Sequence, residues 1–513
     1  MKKLIALTLA TVMLFALCAC GGGQSDVSDI DPTAPLTKDD VITMMVESNS
    51  SWPVRDDWKL WEYMNEGSGA TLNINAVPAT DAVSKYPLMF AAREELPDII
   101  AFGYASDHLK YAGEGLVAFD DLEEYMPNYN AWKNGLSEYE YDVAVKTRMT
   151  SDGKIYYTPS TGREGKTRMR AWLYREDIFK KHNLAVPTTF DELYEVCKKL
   201  KELYPDSYPY STRSLAYIFD LPGSSFDKWW QSGAYYDHDD GEWRWGATED
   251  TALEVVTFYK KMIEEKLMPA DCATMIGSAF DELVLTGRTF IMPHLQLRID
   301  YYNQLAQLQD PEFKLQAIVP PVANPEKGVP MVERGDMEMV GFSICDTGRA
   351  NGVANAAKFL DWLYTDEAME LVSWGKEGET YEIVDGKKKF ITDADGTLPN
   401  TMYGFQVYGS FTRLDPEAAA AMQTETTLES EQMLIEHTLP YLPITLWLDF
   451  NDEEQKVIDT YNTGIRTHTD EMLVKFMLGQ APLSEFDSFV ETLYEMGVED
   501  VLAAYTSAYD RVK

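Results

Sequence analysis

Three short apolar runs, Val41-Ile-Thr-Met-Met-Val46, Thr71-Leu-Asn-Ile-Asn-Ala-Val77 and Asp98-Ile-Ile-Ala-Phe102, are separated by two stretches of helical spacing, and this alternation decides the fold. The first spacer, 56–67, carries Trp58, Leu60, Trp61 and Met64 on one side and is stopped by Gly67 and Gly69. That pattern predicts an amphipathic helix with a glycine stop. The second spacer predicts a helix over 82–92. Strands alternating with helices imply a mainly parallel sheet with crossover helices. Ligands of such sheets bind beyond the carboxyl ends of the strands, which sets the loops 47–53 and 103–108 together at one rim.

Upstream of this stretch lies a leader of a different kind. Lys2 and Lys3 precede an apolar run from Leu4 to Leu17, then Leu17-Cys18-Ala19-Cys20 and three glycines. The run is short for a ~20-residue membrane span and ends on small residues, as an export signal does. The Leu-x-Ala-Cys ending resembles the bacterial lipobox, which makes Cys20 the expected lipid anchor. Residues 21–38 are Gly, Ser, Asp and Pro with little to bury and read as a flexible tether.

At 513 residues the chain has room for two or more cores. Its formal charge of −39 repels polyanions, so nucleic acid is excluded as a partner. The same charge modestly favours neutral over uronate-rich sugars, although exposed charges are screened beyond ~10 Å. Cys197, Cys272 and Cys345 are odd in number, far apart and without metal spacing; Cys197 in a helical pattern and Cys345 in a strand-like one read as buried small hydrophobes. Nucleophile elbows, His-Glu-x-x-His, phosphate loops and dinucleotide fingerprints are all missing from the sequence. The acid groups Asp237/Asp239/Asp240 and Asp449/Asp452 read as solvated surface rather than glycosidase pairs. Asp393-Ala-Asp-Gly-Thr397 begins like a calcium loop, but its glycine is misplaced and no Glu closes it, so it reads as a turn.

Further blocks carry a family resemblance. Met89-Phe-Ala-Ala-Arg-Glu-Glu-Leu-Pro-Asp-Ile-Ile100, Gly115-Leu-Val-Ala-Phe-Asp-Asp-Leu122 and Asp152-Gly-Lys-Ile-Tyr-Tyr-Thr-Pro159 come in this order, followed by Leu184-Ala-Val-Pro-Thr-Thr-Phe-Asp-Glu192 and Gly375-Lys-Glu-Gly-Glu-Thr-Tyr381. Together they resemble the extracellular solute-binding proteins, family 1, of ABC importers, in the lipoprotein, oligosaccharide-type branch. The resemblance implies an α/β, two-lobe periplasmic-binding-protein-like fold (type II), with a cleft between the lobes and extra C-terminal helices. It implies crossings near Asp152, Glu333 and Trp374. The expected parts are a lipoprotein signal over 1–20, a tether over 21–38, one lobe from 39–155 and 335–378, and another from 156–334 and 379–513. Implied in turn is a non-enzymatic, monomeric receptor without cofactor, moored outside the cytoplasmic membrane, that passes a carbohydrate to an ABC permease. A peptide or amino sugar on the same scaffold is the first rival; a surface glycoside hydrolase or adhesin is the second.

Sugars offer flat C–H faces to aromatic rings and hydroxyl pairs to forked donors. On that chemistry the candidate ligand contacts are Asn49 and Trp52 after the first strand, Tyr104 and Asp107 after the third, and Trp229 and Trp230. His294 and Arg298 follow a strand end. Arg334, Trp374 and Glu377 lie near expected crossings, Arg163 and Trp172 flank the start of the second lobe, and Tyr403 lies in a glycine-rich loop. Of the consecutive Trp229 and Trp230, at least one is expected to face a core.

Overall fold

The computed structural model describes residues 25–48, 53–102, 105–150, 152–161, 170–296, 298–331, 341–393, 397, 399–405, 411–438, 448 and 450–512. In chain order its strands are β1 (Val41–Ser48), β2 (Thr71–Pro78), β3 (Ile99–Phe102), β4 (Leu116–Val117), β5 (Arg170–Arg175), β6 (Ala234–Asp237), β7 (Glu242–Trp245), β8 (Ile291–Leu295), β9 (Leu315–Ile318), β10 (Gly341–Cys345), β11 (Tyr381–Val384) and β12 (Lys387–Phe390).

The first sheet has the order β2-β1-β3-β10-β4. β1 runs parallel to both β2 and β3, joined through the helices Lys59–Ser68 and Ala79–Ala92, as the alternation predicts. β10 enters antiparallel between β3 and β4, because the chain returns to this sheet from elsewhere rather than through a crossover helix. Side chains alternate across it: Ile42, Met44 and Val46 join one core with Trp61, Met64 and Leu360, while Met45, Ile100 and Phe102 join another with Tyr86 and Phe90.

A second, smaller sheet, β8-β5-β9, is antiparallel throughout, so the parallel expectation holds only for β2-β1-β3 of the first. Trp172, Tyr174, Ile291 and Ile318 face a core built with the helices Phe190–Leu203, Asp250–Glu264 and Thr463–Met477. Leu173, Met292 and Ala317 face the opposite layer, against Phe280, Ile299 and Tyr302. The two sheets thus head separate cores. Cys197 and Cys345 are buried as expected, and burial pushes both thiols up.

The expected boundaries need two corrections. Residues 25–38, expected as a flexible tether, lie on the first core: Val27, Ile30 and Leu36 pack against it, and Lys358 Nζ donates to Asp31 O and Ala34 O. Tyr381, Phe390, Phe405, Phe411 and Ala418 pack with β1, so residues expected to open the second lobe at 379 belong to the first core. The β11–β12 hairpin turns back onto Trp374 instead of crossing, and the chain rejoins the second core only later, where Leu434 packs. The C-terminal part is largely helical as predicted, ending in the helices Phe486–Glu495 and Val498–Val512. Asp393 accepts from the backbone N–H and hydroxyl of Thr397 at 2.8 and 2.6 Å; the residues between them lie outside the described ones. Among the described residues no helix is long and apolar enough to cross a membrane.

Candidate functional site

Three stretches of chain lie side by side at the edge of the first core. Thr158 N–H donates to Phe342 O at 3.0 Å, and Phe342 N–H donates to the Thr158 hydroxyl at 2.9 Å. That hydroxyl donates onward to Phe411 O at 2.6 Å. Thr161 N–H donates to Thr412 O, Leu414 N–H donates to Thr161 O, and the Tyr364 hydroxyl donates to Pro159 O at 2.7 Å. Segments 157–161, 341–343 and 411–414 therefore form one bonded strap beside the carboxyl end of β3. Thr158 is fully buried, so Thr158→Val would strand an N–H and a carbonyl; a loss of about 1–3 kcal/mol in urea unfolding is expected.

Under this strap His108 and Arg148 are both buried. The His108 ring stacks on Tyr157 at 4.3 Å, and its Nδ1 lies 2.6 Å from the Ser343 hydroxyl. Burial, with Arg148 nearby, drives its pKa well below the ordinary imidazole range, so the ring is neutral. Arg148 donates to Ala144 O and the Ser160 hydroxyl, which fixes the start of the crossing.

At one edge of the second sheet β8 ends and β5 begins, with Arg170 opposite Leu295. Residues 210–213 run beside β8, Tyr210 pairing with Ile291. Ser211 and Thr212 are fully buried, and their hydroxyls have no hydrogen-bond partner among the described residues. Ser214 then takes φ = 66°, strained for a non-glycine residue, and a single π-helical turn follows at Ala216–Asp220. Such irregular backbone concentrates at functional sites. The π-turn lifts Tyr217 beneath the Arg170 guanidinium, 5.1 Å from its ring, and 5.9 Å from the His294 ring. The helices Gly277–Leu285 and Arg298–Gln307 both start at this edge.

Several expected contacts take other roles. Trp172 is fully buried between Phe190 and Tyr210, Trp230 is buried with its indole N–H on Gly246 O, and Trp374 is buried and stacked on Phe390 at 4.6 Å. All three are core residues, for the same rings that stack on sugars also fill cores. His294 is buried too: its Nδ1 accepts from Leu295 N–H at 2.7 Å, and its Nε2 lies 3.2 Å from the Tyr302 hydroxyl, which donates to Asp281. It is a structural relay that holds the end of β8. Glu377 is exposed on a turn that packs on the helix Lys59–Ser68 through the Lys59–Glu379 ion pair, and Tyr403 is half-buried with its hydroxyl on Ile391 O.

Trp229 and Arg298 stay half-exposed. Trp229 lies 4.8 Å from His238 with Lys228 over its ring. It flanks the approach to the second crossing, since Lys228 N–H donates to Lys327 O and Val329 N–H to Ser224 O. Asn49, Trp52, Tyr104, Arg163, Arg334, Cys20 and the Asp107 side chain lie outside the described residues. Sequence reasoning missed Arg170, Arg213, Tyr217 and the His108–Arg148 pair. The run Tyr210-Ser-Thr-Arg-Ser214 after Pro205 and Pro209, polar yet directly following an extended segment, was the available signal.

Comparison with known proteins agrees with this geometry. The chain is 23% identical to Lipoprotein LipO of Bacillus subtilis (strain 168), covering 100% of this chain and 99% of that one. It is 22% identical to the polygalacturonan/rhamnogalacturonan-binding protein YtcQ of the same organism, over 86% of each. The crystal structure of the alginate-binding protein AlgQ2 without calcium ion shares the two-lobe fold, with a TM-score of 0.74 and 22% identity over 93% of this chain and 99% of that one. The family model of the bacterial extracellular solute-binding proteins matches residues 54–370, more than half of the chain. The chain therefore belongs to the family of bacterial extracellular solute-binding proteins.

Proposed function

We propose that this protein is moored outside the cytoplasmic membrane by lipid on Cys20, captures an oligosaccharide between its lobes, and hands it unaltered to an ABC permease. The observation that supports the reading is the bonded strap, which sets the chain's stretches at 157–161, 341–343 and 411–414 side by side, as a hinge between two lobes requires. Ligand that touches both lobes stabilises the closed state, and hinge motion of that kind excludes water from the crevice. Relatives named for binding polygalacturonan and alginate support a saccharide over a peptide. Within this reading the ligand contacts are Asn49, Trp52, Tyr104, Asp107, Arg163, Trp229, Arg298 and Arg334.

A thermal-shift screen of oligosaccharides, amino sugars and peptides tests it. A bound ligand present at a hundredfold over Kd adds about 2.7 kcal/mol to the folded state, so a saccharide hit raises Tm clearly. Chromatography after long incubation is expected to return the sugar unchanged. A response to peptides alone would transfer the protein to the rival ligand class, and released products would make it an enzyme.

A further inference from the structure

The segment before β1 does not hang free. Ser25 donates through its backbone N–H and its hydroxyl to Asp346 Oδ1, just past the end of β10. The Tyr125 hydroxyl lies 2.6 Å from Val27 O and 2.7 Å from Ile30 O, and Lys358 Nζ donates to Asp31 O and Ala34 O at 2.7 and 2.9 Å. Val27, Ile30 and Leu36 pack on the first core between these bonds. Closer to β1, the Thr71 hydroxyl donates to Lys38 O and the Asn355 amide to Asp40. From Ser25 onward the chain is thus fastened to the first core along its whole length.

These bonds fix the edge at which the lipid-bearing end emerges. Asp346 stands where β1, β2 and β3 begin and β10 ends: Ile344 pairs with Ile99, and Cys345 N–H donates to Asp98 O. The ligand loops belong to the opposite edge, beyond Ser48, Pro78 and Phe102. β1 and β2 have eight residues each, which sets the two edges about 25 Å apart. Only Gly21, Gly22, Gly23 and Gln24 separate Cys20 from Ser25. They lie outside the described residues, but in any conformation that length of chain reaches at most about 18 Å from one Cα to the other. An undocked chain from Cys20 to Val41 would reach about 75 Å.

Resting on the lipid attachment at Cys20 proposed above, we infer that the Asp346 edge of the first lobe is the surface held against the outer leaflet of the bilayer, with the ligand edge turned away from it. Were the ligand edge to meet the bilayer instead, Ser25 would stand a strand's length, about 25 Å, above it, beyond the reach of the leash. The exposed groups suit a headgroup layer. Arg93 and Arg349, whose side chains are 42% and 60% exposed, reach Asp346 and Asp98 at this edge. Leu88 is 72% exposed, within two turns of the end of Ala79–Ala92 that arrives there. Glu94, Glu95 and Glu114 are exposed on the same side, so the short leash and not a basic surface sets the contact.

The test is energy transfer from a dye on the full lipidated protein to rhodamine-labelled lipid in phosphatidylcholine vesicles. Asn351→Cys carries the dye near the Asp346 edge, and Thr80→Cys carries it just past the end of β2. Both positions are exposed, whereas Cys197, Cys272 and Cys345 are buried away from the dye. Expected is stronger transfer from position 351, equivalent to a height difference of about 20–25 Å between the two dyes. A twenty-residue Gly-Ser insertion after Gly23 lies outside every bond named above and lengthens the leash by up to about 70 Å, and with it the difference is expected to vanish. Equal transfer from both positions without the insertion, stronger transfer from position 80, or a difference that the insertion leaves intact would each overturn the orientation. With Cys20 shown by mass spectrometry to carry lipid, any of these results leaves the mooring itself standing. Mature protein with Cys20 unmodified would bring down both.

Discussion

Trp374→Ala is expected to lose about 3–5 kcal/mol of stability, the range for truncating a buried large aromatic. The ring is 1% exposed, stacks on Phe390 at 4.6 Å and lies 5.7 Å from Tyr381. Its indole N–H donates to Asp415 Oδ2 at 2.7 Å, so truncation also strands a carboxylate that caps the next helix. The β11–β12 hairpin would lose its main attachment to the first core. Trp374→Phe keeps the stack and drops the hydrogen bond, for a loss of about 1–2 kcal/mol. Urea unfolding checks both figures, and titration of the folded phenylalanine variant separates the roles. Unchanged ligand affinity is expected; a large loss of affinity at near-normal stability would return Trp374 to the binding surface.

His294 gives the second large effect, and its sign is fixed. Burial, then Arg213 and Arg298, push the imidazole from an ordinary value of 6.5 to about 3. Between those values the unfolded chain takes up a proton that the folded chain refuses, so His294 weakens the fold as pH falls through that window, by up to about 1.4 kcal/mol per pH unit. His294→Gln removes this contribution. At pH 7 the variant is the less stable protein, having lost the link to Tyr302. By pH 4.5 the gap between the two is expected to have narrowed by about 2–3 kcal/mol or reversed. Urea midpoints at pH 7, 5.5 and 4.5 measure it, and a gap that stays constant would mean the buried ring is protonated in the folded state.

These two residues also show how far the sequence could be read. The strands at 41–46, 71–77 and 98–102 were legible because apolar runs bounded by helical spacing leave few alternatives. The antiparallel entry of β10 was not, since the direction of a returning strand depends on a connection whose course the local pattern does not encode. Trp172, Trp230 and Trp374 looked like stacking platforms because burial and sugar recognition draw on the same residue type; only packing separates them. His294 was rightly placed at a strand end, but its neighbours Tyr302 and Asp281 come from two different helices.

Small-angle scattering of the mature chain, free and saturated with whichever oligosaccharide the thermal screen returns, is the most direct measurement. Two lobes hinged on the 157–161, 341–343 and 411–414 strap predict a smaller radius of gyration in the bound state, reversible on removing the sugar. An identical scattering profile with and without ligand, at saturation established by titration, would contradict capture by closure.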